Sequence, residues 1–191
     1  MMYVGDMAAG EKVFAALRAV GKPIGDVVGP HPFAGWQQAF DPLLTPGARN
    51  YWKSHNFASM PDEALDTILD YAGRLPSPAS EIFVAQLGGA ANRVASDATA
   101  YPHRDVEFVM NVHTRWEDPK DDGKCVSWAR TFFDATAGFS TGGVYVNFLS
   151  DGEDRVEAAY GSNYDRVAKL KKRYDPDNLF CVNQNVAPAK A

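Results

Sequence analysis

The sequence predicts an α+β fold, an antiparallel sheet with helices packed on one face and the other face open. Three observations predict it. Short runs of strand formers are interleaved with amphipathic helical stretches. Their order is strand, helix, long loop, strand, helix, strand, strand, helix, strand, helices. That order lacks the regular βαβα alternation of a doubly wound parallel sheet. With 191 residues, 46% of them hydrophobic, the chain can bury a real core.

The first element, "MMYVG", has the composition of a strand tail, so a domain opening here predicts further chain upstream, an N-terminal truncation. "DMAAGEKVFAALRAVG" follows as a helix: Asp6 is a capping residue, Val13, Phe14, Leu17 and Val20 form an apolar stripe, and Gly21 suits the stop. Residues 22–47 are a long connection rich in Pro and Gly, and loops of that length usually serve a function. "RNYWKSHNF" alternates Tyr51, Lys53 and His55 against Trp52, Ser54 and Asn56, the period of a strand.

A helix begins near Ser59, whose spacing to Asp62 fits a capping box, with Leu65, Ile68, Leu69, Ala72 and Leu75 as its buried stripe. "EIFVAQLGG" is the next strand, its Gly88-Gly89 pair permitting a bulge or a close backbone approach. The span from Glu107 to Trp116 alternates Val109, Asn111 and His113 against Met110 and Val112, a long strand. Residues 122–136 form a helix with Cys125, Trp128, Ala129, Phe132 and Phe133 inward. "GGVYVNFLSD" then reads as a strand. A short helix from about Glu153 breaks at Gly161, and a second helix, with Tyr164, Val167 and Leu170 inward, ends at "YDPDNLF".

Several function classes drop out on composition. Net charge is −5 with scattered basic residues, which excludes the broad basic stripe of a nucleic-acid binder. No run approaches the length of a membrane span, and the start lacks the charged and apolar regions of a signal peptide. Two lone cysteines, Cys125 and Cys181, read as reduced thiols in a cytoplasmic protein. His31, His55, His103 and His113 lack metal-ligand spacing, so no metal is expected.

No phosphate loop, dinucleotide fingerprint or nucleophile elbow is present, so self-contained chemistry is not visible. The candidate site is a polar sheet face. In "VYVNFL", strand alternation points Tyr145 and Asn147 to one side and Val144, Val146 and Phe148 to the other. A buried carboxamide beside a phenol needs something polar opposite. Asn111, His113, Lys53 and His55 are the substrate-facing candidates to accompany the pair.

The phrases "RNYWKSHNF", "LGGAANRV", "DATAYPHRD", "GGVYVNF", "AAYGSNYDRVAKLKKRYDPDNLF" and "NQNVAP" occur in one order. That series resembles the C-terminal half of berberine bridge enzyme-like FAD-linked oxidases, a branch of the vanillyl-alcohol oxidase superfamily, over residues 2–188. The resemblance implies a substrate-binding (cap) domain over 1–150, a berberine-bridge-type C-terminal segment over 151–191, and an FAD-binding domain that these residues do not include. It implies oxidation of an alcohol or amine carbon by hydride transfer to flavin N5, with sugars, alkaloids, nicotine derivatives and phenylpropanoid alcohols as candidate small-molecule substrates.

By motif match, Tyr145 and Asn147 are the residues beside the flavin ring. Where plant members often carry a second Tyr that acts as base, this chain has Phe148, and Met110 stands near the place of another acidic group. Tyr145 remains the catalytic candidate. FAD is implied for the intact enzyme and is not expected to be held by this chain alone. Three readings are open: the inactive C-terminal part of an oxidoreductase, a subunit pairing with a separate flavin-binding chain, or a non-catalytic module that has lost flavin. An open sheet face also predicts self-association.

Overall fold

The computed structural model describes residues 2–149 and 155–190, which divide into two compact units, Met1–Pro46 and Gly47–Ala191. In the smaller unit, α1 spans Met7–Arg18, and the Asp6 carboxylate accepts from the Ala9 N–H at 2.9 Å as a cap. Residues 2–5 form no strand. Of the expected stripe only Phe14 is half-buried, meeting the Tyr3 ring edge-on at 6.5 Å, while Val13 and Leu17 are exposed. The 22–47 connection is partly ordered: it holds a short helix, α2 (Phe33–Gln38), and a 3-10 turn, Asp41–Leu43. Trp36 packs against His31 and Phe40 at 5.9 and 5.4 Å, a local aromatic cluster that a count of Pro and Gly does not register.

The larger unit runs β1 (Arg49–Phe57), α3 (Asp62–Ala72), β2 (Glu81–Gln86), α4 (Gly89–Asn92), β3 (Phe108–Trp116), α5 (Asp122–Thr136), α6 (Val156–Tyr160) and α7 (Tyr164–Tyr174). The strands form an antiparallel sheet in the order β1-β3-β2, as the α+β reading expects. Directly opposed residues share a face. The register therefore assigns every side chain: His55↔Met110 and Val84↔Met110 lie on one face, Asn56↔Val109 and Ala85↔Val109 on the other.

Helices cover the first face. Helix α5 packs on β1 and β3, and α3 packs on α5. Their core joins Phe57, Met110, Val112, Ala129 and Phe132, all fully buried. Each is an apolar residue at the period its element requires, so local pattern and burial agree here.

Elsewhere packing overrides the pattern. The Ser59–Asp62 capping box does not form: Pro61, extended at φ −68°, ψ 161°, occupies the N-cap, and the helix starts after it. The inner face of α3 is Ala64, Ile68 and Tyr71, which leaves Leu65 and Leu69 exposed. Gly88 and Gly89 both take positive φ, 151° and 57°, at the sharp passage from β2 into α4.

At the C-terminal end, the expected helix start near Glu153 and the expected domain boundary at 150/151 lie outside the described residues. From residue 155 onward the chain is pinned to the loop before β3. His103 Nε2 lies 3.0 Å from the Ala158 carbonyl, and Asn163 Nδ2 donates to the Ser96 and Thr99 carbonyls at 2.6 and 3.0 Å. Helix α7 closes at Asp175, whose carboxylate accepts from Lys171 and from the Leu179 and Phe180 N–H groups. Asn178 follows at φ 53°, completing the Asp-Asn turn.

Candidate functional site

Residues 144–149 are rich in strand formers and still make no strand. The Val144 to Leu149 segment crosses the sheet instead of extending it. The Thr141 N–H donates to the Asn56 carbonyl at 2.8 Å at the β1 edge, and the backbone then closes a 3-10 turn over Val146–Phe148. The Phe148 N–H donates to the Tyr145 carbonyl at 2.9 Å, satisfying groups that a ladder would otherwise take. Val144 and Leu149 anchor the ends in a small core with Ala159.

The turn keeps the predicted pair and changes its company. Asn147 Nδ2 donates to Tyr145 Oη at 2.8 Å, so the phenol and carboxamide do lie together. Phe148 does not point away from them. In a 3-10 turn residues i and i+3 eclipse, and the Phe148 ring accordingly meets the Tyr145 ring edge-on at 5.1 Å and 83°. The expected strand alternation is corrected: Phe148 shares the side of Tyr145.

Both rings face a cavity of about 340 Å³ against the second sheet face. Phe83, Ala85 and Val109 floor it, and Tyr101, Tyr145 and Phe148 stand around it. Tyr101 meets Tyr145 edge-on at 6.3 Å and 85° and carries the Arg104 guanidinium over its own ring at 4.9 Å. Burial pushes the Tyr101 hydroxyl above its ordinary pKa, with the neighbouring Arg104 charge working against the shift. Tyr101 therefore stays a neutral donor near pH 7. It was not among the sequence candidates. Its signal was the "YPHR" run, an aromatic residue beside Pro, His and Arg in a loop.

Gly143 sets the approach of this segment to the sheet. A Cβ there would lie 2.6 Å from His103 Cε1 and 3.2 Å from Asn56 Nδ2, so only glycine fits without a shift. Beneath it, Asn56 is fully buried and neither atom of its carboxamide has a hydrogen-bond partner.

The four accompanying candidates do not assemble into one face. Lys53 and His55 lie on the helix side. The His55 ring stacks on Phe133 at 3.8 Å with Nε2 2.9 Å from the Phe133 carbonyl, and Lys53 Nζ sits 5.1 Å over the same ring. Asn111 and His113 share the cavity face, as β3 alternation predicts. His113 is committed at the far end, Nδ1 at 3.1 Å from Glu81 and Nε2 at 3.0 Å from Asn50 Oδ1, its ring edge-on to Trp52. Asn111 sits between Ser54 and Phe83 with its Oδ1 buried and unpartnered. Of the four, Asn111 alone sits beside the cavity floor. The sheet's two-residue period had placed Lys53 with His55 correctly; register decided that they face away from Asn111.

A flat heteroaromatic ring is compatible with this arrangement. Tyr145 and exposed Asn147 offer a phenol and a carboxamide at the cavity margin, polar edges beside an apolar wall. The sequence holds no phosphate loop or dinucleotide fingerprint.

Comparison with known proteins converges on one set. Residues 144–187 match the family model described as berberine and berberine like. The uncharacterized FAD-linked oxidoreductase YgaK of Bacillus subtilis is 30% identical over 195 residues, 98% of this chain and 42% of the relative. A xylooligosaccharide oxidase of Thermothelomyces thermophilus is 29% identical over 177 residues, 84% of this chain and 35% of the relative. The chain thus spans less than half the length of either. Among solved structures, berberine bridge enzyme from Eschscholzia californica superposes with a TM-score of 0.67 at 20% identity, over 75% of this chain and 34% of that one, a likeness of fold.

Proposed function

We propose that this chain, which matches part of the berberine bridge enzyme-like FAD-linked oxidoreductases, forms the substrate-facing part of such an enzyme and serves the oxidation of an alcohol or amine carbon. The observation that carries this reading is the Tyr145–Asn147 pair, bonded at 2.8 Å at the margin of an aromatic cavity. Tyr145 and Asn147 would hold the ring end of FAD by hydrogen bonds. When bound, FAD supplies the redox step, accepting a hydride from the substrate carbon. The chain's own part is to bind, orient and move a proton.

Tyr145 carries the proton step. Phe148 has no ionisable group, and His113 is held between Glu81 and Asn50. To take the substrate hydroxyl proton, the Tyr145 oxygen would act as the phenolate, its own proton having left to solvent, with the Asn147 amide donating to it. Asn111, on the cavity face, is the polar group left to orient substrate.

A flavin-binding portion, in the same polypeptide or a separate chain, completes the enzyme. A second, open groove of about 350 Å³ between α7 and the tail supports a protein contact there, with Leu170, Tyr174, Phe180 and Val182 exposed around it. Self-association through this surface is the competing outcome.

The test is to co-express the 191-residue chain with the flavin-binding portion of a relative and purify the complex. The complex should be yellow and bleach anaerobically on addition of a substrate alcohol. Tyr145→Phe should slow bleaching by ~10²-fold or more with the complex intact. A colourless complex supports the non-catalytic module instead, and equal bleaching by Tyr145→Phe removes the assigned proton step.

A further inference from the structure

Four polar atoms lie buried and unpartnered in one patch of the sheet: Ser54 Oγ, Asn56 Nδ2 and Oδ1, and Asn111 Oδ1. Strand pairing puts them together. Ser54 directly opposes Asn111, and Asn56 follows two residues on from Ser54, so all three side chains leave the same face. Directly opposed Cβ atoms lie ~4.5–5.5 Å apart and diagonal ones ~7–8 Å, spans that a water molecule bridges. Ser54 is 1% exposed and Asn56 0%. None of the three residues lines the aromatic cavity.

The surrounding backbone closes the patch without satisfying it. Gly143 lies over Asn56, where a Cβ would come within 3.2 Å of Nδ2. The Thr141 N–H donates to the Asn56 carbonyl at 2.8 Å, and Arg155 donates to the Ser54 and Gly142 carbonyls at 3.4 and 3.2 Å. These bonds use none of the four side-chain atoms. A polar atom buried without a partner bears its full desolvation cost, and folded proteins meet nearly all such atoms with protein groups or bound water. The chemistry of the patch is complementary to water. Asn56 Nδ2 and the Ser54 hydroxyl donate, while Asn56 Oδ1, Asn111 Oδ1 and the same hydroxyl accept. A water donates twice and accepts twice, and a polar site with this many partners holds one where an apolar void stays dry.

We propose that Ser54, Asn56 and Asn111 form a site for bound water, a hydrogen-bonded bridge from β1 to β3 beneath the Gly143 segment. The bridge fixes the Asn56 carboxamide on which that segment is seated, two residues before Tyr145. It occupies Asn111 Oδ1 and leaves Asn111 Nδ2 for the substrate contact. The water site itself does not depend on the proposed oxidation.

The test uses the 191-residue chain without flavin, isotopically labelled, with water-selective Overhauser spectra read at the Asn56 side-chain amide. That amide should show a cross-peak with the negative sign of a long-lived bound water. Ser54→Ala and Thr141→Val remove the hydroxyls that could relay such a peak, and both should retain it, because Asn56 and Asn111 still hold the water. Asn111→Leu removes the acceptor across the sheet and should abolish the peak, while Asn111→Asp keeps an oxygen there and should restore it. In Asn111→Leu the Thr141 N–H should also exchange ~5–10-fold faster, the ratio one net hydrogen bond is worth. Amide shifts distant from the patch check folding. The proposal is overturned if the wild-type amide shows no such peak, if either hydroxyl deletion removes it, or if Asn111→Leu leaves peak and exchange unchanged. Because no flavin enters the measurement, its failure and that of the co-expression test are told apart.

Discussion

Replacing Gly143 by Ala probes the contact that seats the Tyr145 turn on the sheet. Gly143 is not among the residues at positive φ, so alanine can adopt its backbone and the penalty is steric alone. The new methyl group would sit 2.6 Å from His103 Cε1 and 2.8 Å from Nδ1. The ring cannot swing aside freely, because Nε2 is held 3.0 and 3.2 Å from the Ala158 and Ala159 carbonyls. Overpacking of this kind costs ~1–3 kcal/mol, and the lower chain entropy of alanine returns ~0.4–1 kcal/mol, a net loss centred near ~1.3 kcal/mol. Urea unfolding followed by tryptophan fluorescence should show that loss, and the midpoint of thermal unfolding should fall ~2–4 °C per kcal/mol. Removing the obstructing ring tests the cause. In the double variant Gly143→Ala with His103→Ala, the losses should sum to at least ~0.5 kcal/mol less than the two single variants predict. Wild-type stability in Gly143→Ala, or strict additivity in the cycle, would refute the steric account.

Three further outcomes are expected. Phe132→Ala should destabilise the larger unit by ~3–5 kcal/mol in urea unfolding, since Phe132 is fully buried and stacked on Tyr71 at 4.6 Å. Asp175 is held below the usual carboxylate range by the Lys171 ammonium and the Leu179 and Phe180 N–H groups. Its contribution to stability is therefore present above the unfolded pKa of ~3.9 and lost as pH falls through the lower folded value; the urea midpoint of Asp175→Asn should fall less steeply than that of wild type below pH ~4. Cys181 is exposed, whereas Cys125 is buried and its thiol pushed up by that burial, so Ellman's reagent should titrate one thiol in the native chain and two after denaturation.

Elements whose own period matches their burial were legible in the sequence. In α5, Asp122–Thr136, the helical stripe names Cys125, Ala129 and Phe132, the same residues that are buried. Helix α3 shows the limit: Leu65 and Leu69 fit an apolar stripe as well as Ala64 and Ile68 do, and only the position of α5 chose between them. Two residues in one face of a helix look alike to periodicity; a neighbouring element breaks the tie.

The candidate site divides in the same way. Strand alternation put Tyr145 and Asn147 on one side; they do lie within 2.8 Å of each other, but in a turn and not in the strand from which that reading came. The split of β3, Asn111 and His113 against Met110 and Val112, is written in the spacing, because a strand's side chains must alternate. The remaining features come from packing between distant segments. A run of strand formers became a 3-10 turn, whose Phe148 N–H bonds the Tyr145 carbonyl within the segment. That turn brought Phe148 to the side of Tyr145. Strand register sent Lys53 and His55 to the helix side, and the loop before β3 brought Tyr101 from 44 residues away to complete the cavity wall. Hydrogen-bond pairing and packing act between segments far apart in the chain, and no local period records them.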